Sequence, residues 1–384
     1  MFNLQSIWIN ENSTIMIKDI FLNSKVPFKR RIKNSILYLN KRRGVQNSWN
    51  KRHDNVLSVN PEYKNSLRNN IEYDHNKLWS KFRKNVDNTT LRISGNISNK
   101  PDPKIVPEDI YLVDLEPSLK SDKSSDFIGN KSFYNKWFLK GIFPKDLFHR
   151  VDGQFLKANL NPSNYDEFLK FANSTDFPII LKPNRDTYGG ADINFVTDTK
   201  QLIELAESRQ DFVVQEIVKQ NEYFDKFNDY GLNTVKVFLY RSVVNDELHV
   251  LSMSLRMGKD NSLDNEAAGG INCFIDKNGY LNEFAIDKYG NKYYEHPNTK
   301  KKFNGKIPDF KELTELSLQI GSKVFLTRII GLDACYDQLG NWRIIEVNTF
   351  SQSIRFSQYA GQPFFGEFTD EVIDYCVKNH WALK

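Results

Sequence analysis

The chain has 384 residues, of which 40% are hydrophobic and 13% aromatic, so it suits a globular protein of two or three packed units. Its three cysteines form no CxxC pair, and its six histidines form no HxxxH or HExxH motif. This pattern disfavours a disulfide framework and a zinc site, and it predicts a cytoplasmic protein with reduced thiols. The N-terminal residues lack the pattern of a signal peptide, and no apolar run approaches the roughly 20 residues that span a bilayer.

Residues 1–100 are strongly basic, with 19 Lys and Arg against 7 Asp and Glu, whereas the rest of the chain has an acidic excess. Charge runs of this kind usually form solvated helix faces, so we expect a basic, partly helical N-terminal region. Alternatively, the basic groups form a surface that meets anionic lipid at the inner face of a membrane, or a polyanionic glycan. Nucleic acid is not expected, because no recognisable nucleic-acid module accompanies the charge.

The elements that follow predict an α+β protein. Residues 94–107 are rich in Ser, Asn, Gly and Pro, which is typical of a linker. Hydrophobic periodicity then predicts alternating strands and helices. The predicted strands cover residues 109–115, 177–181, 212–218, 233–240, 249–256 and 270–276, and the predicted helices cover residues 131–140, 201–207 and 310–326.

A buried strand and a glycine loop predict a phosphate site. The strand at residues 177–181 leads into Lys182, and Gly189 and Gly190 follow in the next loop. Backbone N–H groups of a glycine loop can converge on anionic oxygens, and a lysine at its base adds a positive charge. The segment matches neither the Walker pattern nor GxGxxG.

The hairpin at residues 332–348 has more carboxylates than a sheet should tolerate. A four-residue loop at residues 338–341 pairs Asp337 with Trp342, and this register places Asp333 opposite Glu346. Asn348 shares their face, because strand residues two apart point the same way. Facing carboxylates repel unless a cation lies between them, and an all-oxygen ligand set favours Mg²⁺, with Mn²⁺ as an alternative. Asp333, Glu346 and Asn348 are therefore the predicted metal ligands.

Two basic residues on the predicted strands are candidates for the catalytic groups. Lys236 lies among apolar residues in the middle of a strand, and a buried lysine is costly without an anionic partner. Arg256 ends the next strand. Both could neutralise negative charge on a transferred phosphoryl group.

In combination these residues resemble the ATP-grasp superfamily over residues 126–384, and most closely its sugar-transfer-associated family. The narrower resemblance rests on short segments such as Leu115-Glu116-Pro117, Asn130-Lys131 and Ala268-Gly269-Gly270. The resemblance implies two α+β subdomains that enclose a nucleotide, at about residues 150–218 and 219–384, after an N-terminal region and linker at residues 1–125. It also implies the following nucleotide-binding residues: Lys131, Lys182, Gly189, Gly190, Gln215, Glu216, Val218 and Glu222.

The resemblance further implies an enzyme that uses ATP and Mg²⁺ to join a carboxylate to an amine through an acyl phosphate. Its acceptors would be small molecules, such as an amino acid and a sugar or sugar acid of bacterial surface polysaccharide. Two alternatives stay open: a kinase that phosphorylates a hydroxyl group, and a non-catalytic nucleotide-binding protein that docks on a membrane. The chain departs from the superfamily at Gly331, where an Arg is common, and at residues 349–353, where a Pro-Gly turn is common.

Overall fold

The computed structural model describes residues 15–120, 122–185, 192–228, 230–260, 262, 264 and 269–384. Two antiparallel sheets organise the chain from residue 146 onward, and helices cover them. The helices are α1 (Ile15–Leu22), α2 (Phe28–Val59), α3 (Asn69–Trp79), α4 (Thr89–Ser98), α5 (Glu108–Ile110), α6 (Glu116–Leu119), α7 (Tyr134–Trp137), α8 (Tyr165–Ser174), α9 (Thr199–Ser208), α10 (Glu222–Asp225), α11 (Phe310–Ser322), α12 (Arg355–Tyr359) and α13 (Thr369–Lys378). Among the described residues, no helix has both the length and the apolar content needed to cross a lipid bilayer.

The first sheet is small and forms a separate layer. Its strands are β1 (Asp146–Val151), β2 (Gln154–Lys157), β3 (Ile179–Lys182), β4 (Asn194–Val196) and β5 (Phe212–Gln215), in the order β2-β1-β5-β3-β4. Helices α8 and α9 pack on one face and enclose an apolar core that includes Phe168 and Leu181. The side chains of Asn164 and Asp198 cap the two helices by accepting hydrogen bonds from backbone N–H groups.

The second sheet is larger and carries most of the candidate site. Its strands are β6 (Thr234–Arg241), β7 (Leu248–Met257), β8 (Ile271–Ile275), β9 (Leu281–Ile286), β10 (Lys292–Tyr293), β11 (Ile329–Tyr336) and β12 (Trp342–Asn348), in the order β10-β9-β8-β7-β6-β11-β12. Strand alternation divides its residues between two faces. Val235, Val237 and Leu239 belong to the core that α11 joins, whereas Thr234 and Lys236 line a cleft on the other face.

The N-terminal helices share a hydrophobic core with the C-terminal end of the chain. Tyr38 of α2 lies in one apolar cluster with Val372 of α13 and with Phe238 of β6. A polar network lies within the same layer, around the fully buried carboxylate of Asp114. Arg83 forms an ion pair with it at 2.7 Å, and the Tyr38 hydroxyl donates to it at 3.0 Å. The two ends of the chain are therefore parts of one packed unit.

Two of the sequence predictions are wrong in this region. Residues 109–115 form helix, including a π-helical turn at Tyr111–Leu115, and not a strand. A short and mostly buried run has neither a clear helical nor a clear strand periodicity, so its sequence does not reveal its type. The predicted linker begins later than residue 94, because α4 continues to Ser98 and ends where Asn99 adopts a left-handed conformation.

The remaining predicted elements differ from the structure at their ends. The helix predicted at residues 310–326 ends at Ser322, and the strand predicted at residues 212–218 ends at Gln215. The helix predicted at residues 131–140 is a 3-10 turn at Lys131–Phe133 followed by the single turn of α7. Each predicted strand from residue 177 onward is present.

Candidate active site

A cleft of about 1060 Å³ runs between the two sheets. Lys182 and Gln215 line it from the small sheet, and Lys236, Asp333 and Glu346 line it from the large sheet. A cavity of this size is in the range of small-molecule sites. The structure thus brings most of the predicted nucleotide, metal and catalytic residues to one place.

Two lysines lie at the side of the cleft nearest the small sheet. Lys131 is buried, and its Nζ lies 2.7 Å from Oε1 of Glu346 across the cleft. Lys182, at the end of β3, is also buried and makes no ion pair within the described residues. Burial, together with the nearby positive charge of Lys131, lowers the pKa of Lys182 to about 8. An anionic ligand in the cleft would raise this pKa and keep the lysine protonated.

The hairpin of β11 and β12 pairs Asp333 with Glu346, as the sequence predicted. The predicted turn is wrong, because Tyr336 and not Asp337 pairs with Trp342. Asp337 caps the resulting longer loop, since its carboxylate accepts hydrogen bonds from two loop N–H groups. A bulge at residue 345 then shifts the register by one residue and restores the predicted pairing.

The two hairpin carboxylates face cations. Asp333 lies 3.1 Å from Nζ of Lys236 and 3.3 Å from the Arg256 guanidinium, while Glu346 is paired with Lys131. Burial opposes ionisation of Asp333, but Arg256 and Lys236 outweigh it and lower the pKa of this carboxyl group. Asp333 is therefore an anion, and the repulsion expected between the facing carboxylates is already compensated.

The donor set fits a hard cation. Asp333, Glu346 and Asn348 all line the cleft, and they offer only oxygen ligands on two neighbouring strands. Within the described part of the chain, no three His, Cys, Asp or Glu side chains cluster as a metal site, so the amide oxygen of Asn348 would be needed as a third ligand. Two carboxylates and an amide are typical of Mg²⁺ sites completed by phosphate and water.

The profile of the sugar-transfer associated ATP-grasp family matches residues 114–370. The chain belongs to this family. The match begins 12 residues before the predicted start at residue 126 and ends 14 residues before the C-terminus. A comparison with curated proteins gives no significant match.

Solved structures that resemble this ATP-grasp protein are distant. The biotin carboxylase domain of the Hydrogenobacter thermophilus 2-oxoglutarate carboxylase is 12% identical, with a TM-score of 0.37 over 61% of this chain and 44% of that one. The ATP-grasp ligase PsnB is 14% identical, with a TM-score of 0.39 over 67% of this chain and 63% of that one. The N5-carboxyaminoimidazole synthase of Aspergillus clavatus is 12% identical, with a TM-score of 0.36 over 63% and 52%. The ATP-grasp protein thus spans about half of the length of these structures.

The segment predicted to contact adenine, residues 215–218, begins at the last residue of β5 and is attached to the hairpin of β11 and β12. Glu216 accepts a hydrogen bond from Lys145 N–H and is ion-paired with Arg343 at 3.0 Å. Gln215, Glu216 and Val218 line the cleft, whereas Glu222, the predicted ribose ligand, is exposed at the start of α10 and does not line it. Gly189 and Gly190 lie outside the described residues. Of the four described residues in this set, the structure therefore brings three to the cleft.

Sequence analysis missed Asn184, which joins the two lysines of the site. Its backbone oxygen accepts from Lys131 N–H at 2.9 Å, and its side-chain oxygen accepts from the Ser132 hydroxyl at 2.5 Å. Its amide nitrogen donates to backbone oxygens of Arg150 and Phe212 in the small sheet. Asn184 thereby positions Lys131 relative to Lys182. A polar residue two positions after a strand-end lysine was the only signal in the sequence.

Gly331 and Gln352, in the two segments where the chain departs from its superfamily, contact each other. A Cβ atom at Gly331 would lie 1.6 Å from Oε1 of Gln352, so the glutamine side chain fills the space that glycine leaves. Gln352 is held there, because its amide donates to Asn348 and its backbone N–H donates to Glu116. Both departures therefore shape one wall of the cleft next to Lys236.

Proposed function

We propose that this protein is an ATP- and Mg²⁺-dependent ligase that joins a carboxylate to an amine. The observation that carries the proposal is that one cleft holds Lys131 and Lys182 on one side and the Asp333, Glu346 and Asn348 oxygen set of the large sheet on the other. Positive groups facing a divalent-cation site are the arrangement that phosphoryl transfer from a nucleotide requires. Membership of an ATP-grasp family supports ATP as the phosphoryl donor.

In the proposed reaction, a carboxylate oxygen attacks the γ-phosphorus of ATP, and the bond to the ADP oxygen breaks. The resulting acyl phosphate is attacked by an amine, which loses a proton as phosphate leaves and an amide forms. Lys131 and Lys182 would hold the nucleotide phosphates, and Lys236 and Arg256 would stabilise negative charge on the transferred group. Magnesium, when bound, neutralises phosphate charge.

The cleft wall supports a polar acceptor. Beyond Lys236, neutral polar groups line the cleft on adjacent strands, at Ser254 of β7 and Asn272 of β8, with Gln352 and Ser353 above them. Hydroxyl and amide side chains of this kind recognise hydroxyl and amide groups on a ligand. Together with the family's association with sugar transfer, they support a sugar or sugar acid as one acceptor, joined to an amino acid in polysaccharide biosynthesis.

The test is a screen for nucleotide turnover with purified protein, Mg²⁺ and paired libraries of amino acids and sugar acids. A ligase releases ADP and phosphate only when both partners are present, and the product mass is the sum of the partners less one water. A product that contains phosphate and needs one acceptor would instead assign a kinase.

The control variants are Glu346→Gln at the predicted metal site and Glu312→Gln on the exposed face of α11. Turnover should be lost in the first and retained in the second. Nucleotide binding without turnover for any acceptor pair, or equal loss in both variants, would refute the proposed ligase.

A further inference from the structure

One face of the long helix α2 carries exposed cations and exposed apolar side chains together. The 34 residues from 20 to 53 include 10 Lys and Arg and no Asp or Glu. The structure uses some of these cations in packing and leaves others exposed. Lys41 lies over the rings of Phe350 and Trp381, and Arg31 donates to a backbone oxygen of α1, so both are used in packing.

Four of the exposed cations share one face of α2 with two exposed apolar residues, and we call these six side chains the α2 outer face. All six are exposed, and they recur at helical spacing on the side opposite the buried Tyr38 and Trp49. Its members are Lys29, Arg30, Lys33, Ile36, Leu37 and Arg43. The four cations make no ion pair within the described residues.

Apolar groups among these cations distinguish the surface from an ordinary solvated face. Ile36 is 54% exposed and Leu37 46%, and Phe28 and Leu22 at the nearby helix ends are 55% and 60% exposed. A polyanion in water would engage the cations but leave these side chains exposed. A bilayer surface offers both anionic headgroups and an apolar layer just below them.

We propose that the α2 outer face docks on an anionic lipid bilayer. The cations contact the headgroups, and Ile36 and Leu37 insert at the boundary with the acyl chains. Lys41, one helical turn after Leu37 at the border of this face, contacts Phe350, which lines the cleft, so docking holds the active site close to the membrane. This surface does not depend on the proposed ligase activity.

The experiment is co-sedimentation of the full chain with phosphatidylcholine vesicles that contain or lack phosphatidylglycerol. Wild-type protein should bind the anionic vesicles, should not bind the neutral ones, and should be released by high salt. Replacing the four cations should weaken binding by about two to three orders of magnitude. The variant is Lys29→Gln/Arg30→Gln/Lys33→Gln/Arg43→Gln, since glutamine preserves helix propensity.

Two further variants separate docking from a general charge effect. Ile36→Gln/Leu37→Gln keeps every charge and should also lose binding. The matched control removes four exposed lysines from other elements and should bind like wild type; it is Lys170→Gln/Lys200→Gln/Lys277→Gln/Lys311→Gln. Circular dichroism and thermal melting of every variant establish that each one is folded.

Several results would overturn the proposal. One is wild-type protein that ignores anionic vesicles. Another is a matched control that loses as much binding as the α2 variant. Binding to heparin that needs the cations but not Ile36 and Leu37, with no vesicle binding, would assign the face to a polyanion. A wild-type dimer that the Ile36→Gln/Leu37→Gln change converts to a monomer, again without vesicle binding, would assign it to a second copy of the chain.

Discussion

Raising the pH should weaken nucleotide binding, because Lys182 loses its proton near the physiological range. Burial, and then the charge of Lys131, lowers the pKa of Lys182 to about 8 in the ligand-free protein. Nucleotide phosphates favour the charged ammonium group and raise its pKa in the complex. The complex therefore retains a proton that the free protein releases above pH 8, so affinity falls as the pH rises through that value.

The size of the effect follows from the protonated fraction of Lys182. With a pKa of about 8, this fraction falls from about nine-tenths at pH 7 to about one-tenth at pH 9. The dissociation constant of ATP should therefore rise by about tenfold between these two values. Isothermal titration calorimetry with a non-hydrolysable ATP analogue and Mg²⁺ measures it, and repeating the titration in buffers of different ionisation enthalpy reports the proton taken up.

Two variants isolate Lys182 from other titrating groups. Lys182→Met should lower affinity or turnover by about 10²-fold and should remove the pH dependence between pH 7 and 9. Lys182→Arg keeps a charge that does not titrate in this range and should also bind independently of pH. An affinity of the wild-type protein that is constant over this range, or an unchanged slope in Lys182→Met, would refute the reasoning.

Three further substitutions test the large sheet. Glu346→Gln should abolish turnover with little loss of stability, because this side chain is partly exposed. If the variant turned over at the wild-type rate at limiting Mg²⁺, the metal assignment would be contradicted. Asp333→Asn should lower the free energy of unfolding in urea by about 3 kcal/mol, because it removes the negative charge that pairs with Lys236 and Arg256. A loss of stability no larger than that of Glu346→Gln would contradict this prediction. Gly331→Ala should destabilise the protein by about 1–3 kcal/mol by displacing Gln352, and adding Gln352→Ala should restore stability. If the double variant stayed as unstable as Gly331→Ala, the clash would not be with Gln352.

The hairpin shows how far sequence patterns can predict the candidate site. The pairing of Asp333 with Glu346 was predicted correctly from an assumed turn that was itself wrong. The bulge at residue 345 corrects the register, and its one trace in the sequence is that Ile344 and Ile345 interrupt the alternation of apolar and polar residues. Lys182, Asp333 and Glu346 could be recognised because each is a charged residue within or at the end of a mainly apolar strand, which is a pattern visible in a short segment of sequence.

Features that depend on packing between distant segments were not predictable. The helix at residues 109–115 packs against α2 and α13. Its two acidic residues, Asp109 and Asp114, are ion-paired with Arg83, so they do not form the solvent-exposed polar face that marks a helix in a sequence. In the same way, the charge count of residues 1–100 could not reveal that Lys41 faces inward and Lys33 outward. Gln352 and Gly331 are 21 positions apart in the sequence, and the glutamine fills space beside the glycine that exists only in the folded chain.

The burial of Asp114 means that the family match begins inside a packed unit and not at its edge. The family match starts at residue 114, but Arg83 and the Tyr38 hydroxyl, which lie before it, compensate this carboxylate. A chain trimmed to the matched region would lose Arg83 and the Tyr38 hydroxyl, and would expose the apolar residues that α2 covers. The basic N-terminal region therefore presents cations on its outer surface, whereas its inner surface packs against the part of the chain that holds the active site.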